Sequence, residues 1–186
     1  PSFAESQRPV GNLRHGLELF PDDPLLLATL GEAYFVRYDW GIAREDWVLD
    51  RAEELARRAL AGDPSSAQGK KLLGHVERYR GSVSRACQHF LEAYRSDPTD
   101  TGILLHTGML LSEVGWGELA ARFYRRLLEA DPLTPFNYLM AGLGQVLGTV
   151  AVGHLDQAAV AHAASIFGGQ IDMTMLSFVK MIWRMV

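Results

Sequence analysis

At 186 residues, with 48% hydrophobic and 22% charged residues, the chain suits one folded domain or a short array and lacks the composition of a disordered polymer. A formal net charge of −4 argues against a global nucleic-acid footprint, and a single cysteine rules out an intrachain disulfide and any paired-cysteine metal motif. No apolar run approaches the ~18 residues of a membrane span. The first residues also lack the basic-then-apolar pattern of a signal peptide, so the expected setting is cytoplasmic, with no membrane partner. Without an initiator Met, and ending on Met185-Val186, the chain reads as a piece of a longer protein.

Taken in order, residues 9–20 carry a short apolar helical stripe (Leu13, Leu17, Phe20), weakened by Gly11 and Gly16. Pro21-Asp22-Asp23-Pro24 ends that helix and starts the next, since proline is tolerated in a first turn and aspartates suit the positive end of the dipole. The spacing predicts a helix from Leu25 to about Arg37 and a second from Leu49 to Leu60, so that residues 24–64 form one helix pair. The rhythm breaks between them, near 38–48, around Gly41, Trp40 and Trp47. Asp-Pro then recurs at Asp63-Pro64, Asp97-Pro98 and Asp131-Pro132, an interval of 34 residues each time, whereas Pro21 to Pro64 spans 43. A fixed period of 34 marks a helix–turn–helix repeat, and the first interval carries nine extra residues.

The two regular repeats are 67–98 and 101–132, turning at Gly81 and Gly115, each with an alanine five residues later (Ala86, Ala120) and an aromatic four beyond that (Phe90, Tyr124). Glycine supplies the positive φ that ends a helix, and the alanine permits close approach of two helices. A fourth unit, 135–169, has its first helix to about Leu147 and a lengthened turn from Gly148 to Gly153, with His162 where the aromatic belongs. Residues 171–186 read as the first helix of a fifth unit.

Leu30-Gly31, Tyr34, Leu73-Gly74, Gly108 and Gly142, with Ala52, Ala59, Ala86, Ala93, Ala120, Ala158, Phe90, Tyr124 and the spaced prolines, resemble the tetratricopeptide repeat (TPR). The resemblance covers roughly residues 9–186 and implies an all-α, right-handed α-solenoid of about four units with half units at both ends. Departures are the nine-residue insertion, His162, and Glu77 and Gln145 where the family has Tyr. A weaker likeness is to the TPR arrays attached to bacterial Ser/Thr kinases, cyclases and transcriptional regulators, although no kinase motif is present.

The chain offers little catalytic chemistry. Gly142-Leu143-Gly144 with Gly148 mimics a dinucleotide loop but falls inside a predicted helix, where small residues serve packing. His75, Cys87 and His89 come from opposite helices of one repeat, His154 and His162 are two turns apart, and neither set has metal-ligand spacing. Cys87 has no identifiable base beside it. Arg57-Arg58 and Arg125-Arg126 are expected in last helical turns, complementing the dipole. Trp40, Asp46, Trp47 and Asp50 form the remote alternative, a small-molecule site or enzyme at the insertion. The expectation is a non-enzyme with no cofactor and no metal.

In the TPR pattern the first helix of each unit lines a concave groove. The resemblance therefore places Lys71, His75, Arg78 and Tyr79 there, then His106 and Met109 with Leu105 and Glu113, then Phe136, Leu139 and Met140 with Leu143. The groove would run from a cationic end to an apolar, Met-rich one suited to adaptable binding. The two-carboxylate clamp of chaperone-binding TPRs is not carried over: Lys71 matches its first cation, but His75 and His106 stand for asparagines, and Phe136 and Met140 replace the final cations. The expected function is a scaffold binding an extended or helical protein segment, with no nucleic-acid partner. The alternative is homodimerisation or higher self-association through an unpaired apolar C-terminal helix bearing Phe178, Met181, Ile182 and Trp183.

Overall fold

The structure is a computed structural model that describes the backbone of residues 3–150 and the side chains of residues 10–144. Its described residues form eight α-helices: α1 Phe3–Leu19, α2 Pro24–Asp39, α3 Asp46–Gly62, α4 Ala67–Tyr79, α5 Val83–Ser96, α6 Thr101–Glu113, α7 Gly117–Ala130 and α8 Pro135–Val150. The expected second helix of the fourth repeat and residues 171–186 lie outside the described residues. Contacts divide the chain into two compact units, residues 1–110 and residues 111–186.

The Asp-Pro beat has a local cause. The Asp63 carboxylate accepts hydrogen bonds from the Ser65 backbone N–H (2.9 Å) and hydroxyl (2.6 Å), and Asp97 does the same with Thr99 (3.0 and 2.8 Å). These bonds hold both carboxyls below the usual carboxylate range. Three residues after each aspartate a polar side chain caps the next helix, Ser66 accepting from Gly69 N and Asp100 from Ile103 N (2.7 Å). In the second unit, buried Asn137 donates to the Asp131 carbonyl (3.2 Å) and carboxylate (3.1 Å), fastening α8 to the same turn.

The turns inside the pairs also share one design. Gly41, Gly81 and Gly115 have φ of 70°, 77° and 82°. In each turn the residue after the glycine donates its N–H back across the helix end: Ile42 to Arg37 O, Ser82 to Glu77 O and Trp116 to Leu111 O. That is the Schellman closure, and it requires the left-handed residue that glycine supplies most cheaply.

Within the first unit α2 packs on α3, α4 on α5, α3 on α4 and α2 on α4, with α1 against α2. Its largest core runs through Leu27, Leu30, Tyr34, Phe35, Val48, Leu55, Leu72, Leu73 and Val76. Ala52, Ala59, Ala86 and Ala93 are completely buried, the small positions that let paired helices meet. A methyl at Gly31 would overlap the Leu72 side chain, and one at Gly74 would stand 3.1 Å from the Phe90 ring. In the second unit α7 packs on α8, and the Tyr124 ring lies where a Gly144 side chain would be. Gly144, one of the glycines that mimic a nucleotide loop, thus has a packing role.

Several boundaries differ from the sequence expectation. Helix α1 begins at Phe3, well before residue 9, because Ala4, Glu5, Gln7 and Arg8 are ordinary helix formers even without an apolar stripe. Helix α8 continues through Gly148 to Val150. The nine extra residues of the first repeat are not a loop. Helix α2 has 16 residues against 13 in α4 and α6, and α3 has 17 against 14 in α5 and α7. The turn between α2 and α3 takes the remaining three. Because α3 reaches Gly62 and α7 reaches Ala130, neither arginine pair lies in a last turn. Arg57 instead pairs with Glu53 one turn back (2.6 Å), and Arg58 donates to the Pro21 carbonyl (2.9 Å).

Two glycine substitutions should separate space from propensity. Gly11 is exposed in α1, and a Cβ added there would meet nothing within 4 Å, so Gly11→Ala should add about 0.5–1 kcal/mol of stability. Gly31→Ala must push against Leu72, the Ala52 carbonyl and Leu55 and should cost about 1–3 kcal/mol. Urea midpoints moving in opposite directions check the pair.

Candidate functional site

In the first unit the first helices α2, α4 and α6 bring a polar, aromatic seam together. Its centre is His75 on α4, completely buried. Its ring stacks on Phe35 of α2 (centroids 4.3 Å, 20° between planes) and meets the edges of His106 of α6 at 4.2 Å and Phe90 of α5 at 5.1 Å. Both ring nitrogens of His75, Nδ1 of His106 and the Thr107 hydroxyl have no hydrogen-bond partner among the described residues.

Such an environment favours the uncharged ring. Burial first, then electrostatic coupling to His106 and the positive charges of Lys71 and Arg78, holds the His75 pKa well below its ordinary value. Burial, then Arg78 and Lys71, pushes His106 down to about 3. The sequence expectation of a groove-lining His75 is therefore corrected: the ring is a core plate between helices and does not reach solvent.

Lys71 is not a free cation either. Its ammonium lies 3.6 Å from the Glu32 carboxylate across α2 and α4, with side chains 12% and 31% exposed. Burial raises the Glu32 pKa, and Lys71 opposes that rise. Tyr79 is half-buried, donates its hydroxyl to Asp39, and packs edge-on against Phe35 (5.7 Å) and Tyr38 (5.4 Å). Burial and the Asp39 carboxylate push the Tyr79 pKa upward. Arg78, His106 and Met109 are partly exposed. In the second unit Phe136 is 41% exposed and Leu139 half-buried, but Met140 is buried at 3%, so it belongs to the core. Phe178, Met181, Ile182 and Trp183 lie outside the described residues.

Sequence reasoning missed Glu32, Phe35 and Asp39. The signal was present: with the long first interval of 43, Glu32 falls in register with His75, and Phe35 with Arg78. Extending the first-helix register back by 43 rather than 34 finds both. Cys87 is half-buried with its thiol pushed up by burial, and His89 faces Glu92 at 3.9 Å; His154 and His162 lie outside the described residues. No cluster of three or more metal-type side chains occurs among the described residues.

Paired helices at a 34-residue period, closed by Schellman glycines and glycine–aromatic contacts, match known structures. The thermophilic TPR protein TTC0263 of Thermus thermophilus superposes with a TM-score of 0.67 at 18% identity, over 96% of this chain and 92% of that one. YrrB, described as a TPR protein with an unusual peptide-binding site, gives 0.60 at 19% identity over 95% and 84%. MamA gives 0.60 at 16% over 90% and 94%. No protein-family model and no curated protein sequence matches the chain. The chain has the TPR fold, an all-α solenoid. Within that TPR frame the seam's histidines occupy first-helix positions where ligand-facing residues were expected, and packing has absorbed one of them.

The seam makes stability sensitive to acid. Both histidines are neutral in the fold, with folded pKa values below the ordinary 6.5, so their contribution is complete above pH 6.5 and is lost as pH falls toward the folded values. Between pH 6.5 and 5 the chain should lose stability, and a His75→Phe/His106→Phe double variant should lose distinctly less. Urea midpoints at the two pH values measure the difference; identical losses would contradict neutral histidines in the seam.

Proposed function

We propose that the chain is a non-catalytic TPR scaffold that binds a segment of a partner protein along its first helices, in a cytoplasmic setting. The observation that carries this reading is the state of the first-helix side chains. On α6, Leu105 and Met109, one turn apart, are neither buried nor fully exposed, while their neighbours Ile103, Leu104, Leu110 and Leu111 are spent on the core. On α8, Phe136 and Leu139 are likewise left partly open. Flexible and aromatic apolar groups on a rigid helical frame suit helix-in-groove or extended-segment recognition. The peptide-binding description of YrrB, a fold neighbour, supports the same use of the frame.

The half-buried pairing of Lys71 with Glu32 shifts the expected contacts. Lys71 contributes mainly to the seam, so the first unit offers Tyr79 and Met109, with Arg78 at the polar margin, and the second unit by itself offers Phe136 and Leu139. No helix among the described residues is long and apolar enough to cross a membrane.

A peptide library displayed against the full chain tests the reading. Selected peptides should lose about tenfold or more in affinity when Met109→Glu or Phe136→Glu is introduced, because a carboxylate then faces the apolar contact. Peptides whose affinity is unchanged by both substitutions would defeat it. Isothermal titration of wild type and variants reads the change directly.

A further inference from the structure

The nine residues added to the first repeat all lie at one end of the pair. Helix α2 starts three residues after Pro21 just as α4 starts three after Pro64, and α3 and α5 both stop immediately before an aspartate of the Asp-Pro beat. The surplus is therefore at the turn, where three residues add about 4.5 Å to each helix. This tip carries Trp40 (71% exposed), Ile42 (42%) and Trp47 (56%). Exposed aromatics gathered on an element that the repeat does not require mark an interaction surface.

Charge at the tip selects the occupant. Asp39 is taken by the Tyr79 hydroxyl and Asp50 by Arg80 at 2.6 Å. Arg44 folds back along Gly41, its Nε 3.0 Å from where a Cβ there would stand, and Arg37 sits in the last turn of α2, facing the negative end of the dipole. Glu45 and Asp46 remain exposed between the two tryptophans in sequence, and the Glu45 side chain makes no capping hydrogen bond. With Asp50 matched by Arg80, Arg37 and Arg44 stand among three carboxylates, Asp39, Glu45 and Asp46. The neighbouring rings already hold one cation: the Arg14 guanidinium lies over Tyr34, 5.8 Å from its centroid, and Tyr34 meets Trp47 edge-on at 6.1 Å.

We propose that the α2–α3 tip is a second docking surface, separate from the first-helix face, for an arginine- or lysine-bearing segment of a partner protein. Trp40 and Trp47 offer ring faces to the cations, Ile42 an apolar contact, and Glu45 and Asp46 the countercharge.

Fluorescence anisotropy with a labelled (Gly-Arg)4 peptide and a (Gly-Glu)4 control on the full chain tests this. The arginine peptide should bind saturably and the glutamate peptide should not. Trp40→Ser and Glu45→Gln should each weaken binding by about two- to fivefold or more with circular dichroism unchanged, while Met109→Lys leaves it intact. No saturable arginine binding would overturn the proposal, as would equal binding to wild type and both tip variants. A dimer that Trp40→Ser dissociates in sedimentation velocity would overturn it by assigning the tip to a second copy. Phosphatidylcholine-vesicle binding lost in that variant would overturn it by assigning the tip to a lipid surface. Loss of arginine binding in Met109→Lys would place the peptide on the first-helix face instead.

Discussion

The fold depends on glycine standing opposite a large side chain. Gly31 receives Leu72, Gly74 receives the Phe90 ring, and Gly144 receives Tyr124. Each first-helix backbone comes close enough to its neighbour to bury one large side chain, a gain of about 1.5–3 kcal/mol per ring or leucine. In exchange the helix accepts about 1 kcal/mol of glycine's lost propensity. The exchange is favourable only if the opposing residue is wholly buried, and Phe90 and Leu72 are at 0% exposure. Alanines at Ala52, Ala86 and Ala120 perform the same service on the second helices without the entropic cost.

That close approach explains why His75 is core. Once α4 sits against α2 and Phe90 fills the space beside Gly74, the next first-helix position is flanked by rings, Phe35 stacked on it and His106 and Phe90 set at near right angles. An imidazole fits there by shape, as a flat ring, but its nitrogens go without partners. An unpaired buried polar group costs about 1–3 kcal/mol, so ring contacts offset only part of the loss. The seam thus holds a stability reserve that phenylalanine would recover. Glu32 and Lys71 offset part of their own desolvation with each other, a half-buried pairing that adds little net stability.

The repeat was legible because its cause is local. Asp63 and Asp97 bond to the residue two along, and Gly81 and Gly115 close their own helix ends, so single positions carry the period and the fold class follows. Burial at the candidate site was not legible, because it depends on which side chain comes from another helix. Nothing near Lys71 in sequence announces Glu32, and nothing near His75 announces Phe35; both arrive from a helix about 40 residues away. The register rule placed the first helices correctly, but a groove position and a seam position share one spacing. Only packing distinguishes Met109, left open, from Met140, buried.

The long first repeat shows how an insertion can be carried without breaking that packing. At 3.6 residues per turn, nine residues added to one helix would rotate everything beyond them by about 180°, sending the apolar stripe to the opposite face. Three in each helix leave each stripe within about 60° of register. The stripe of α3 accordingly stays buried from its first turn, through Val48, Leu49, Ala52, Leu55, Ala56 and Ala59. Trp47 precedes that stripe and Trp40 follows the end of α2, so neither is needed to fill the core. Their exposure follows from the position of the added residues, at the end of the pair where α2 gives way to α3.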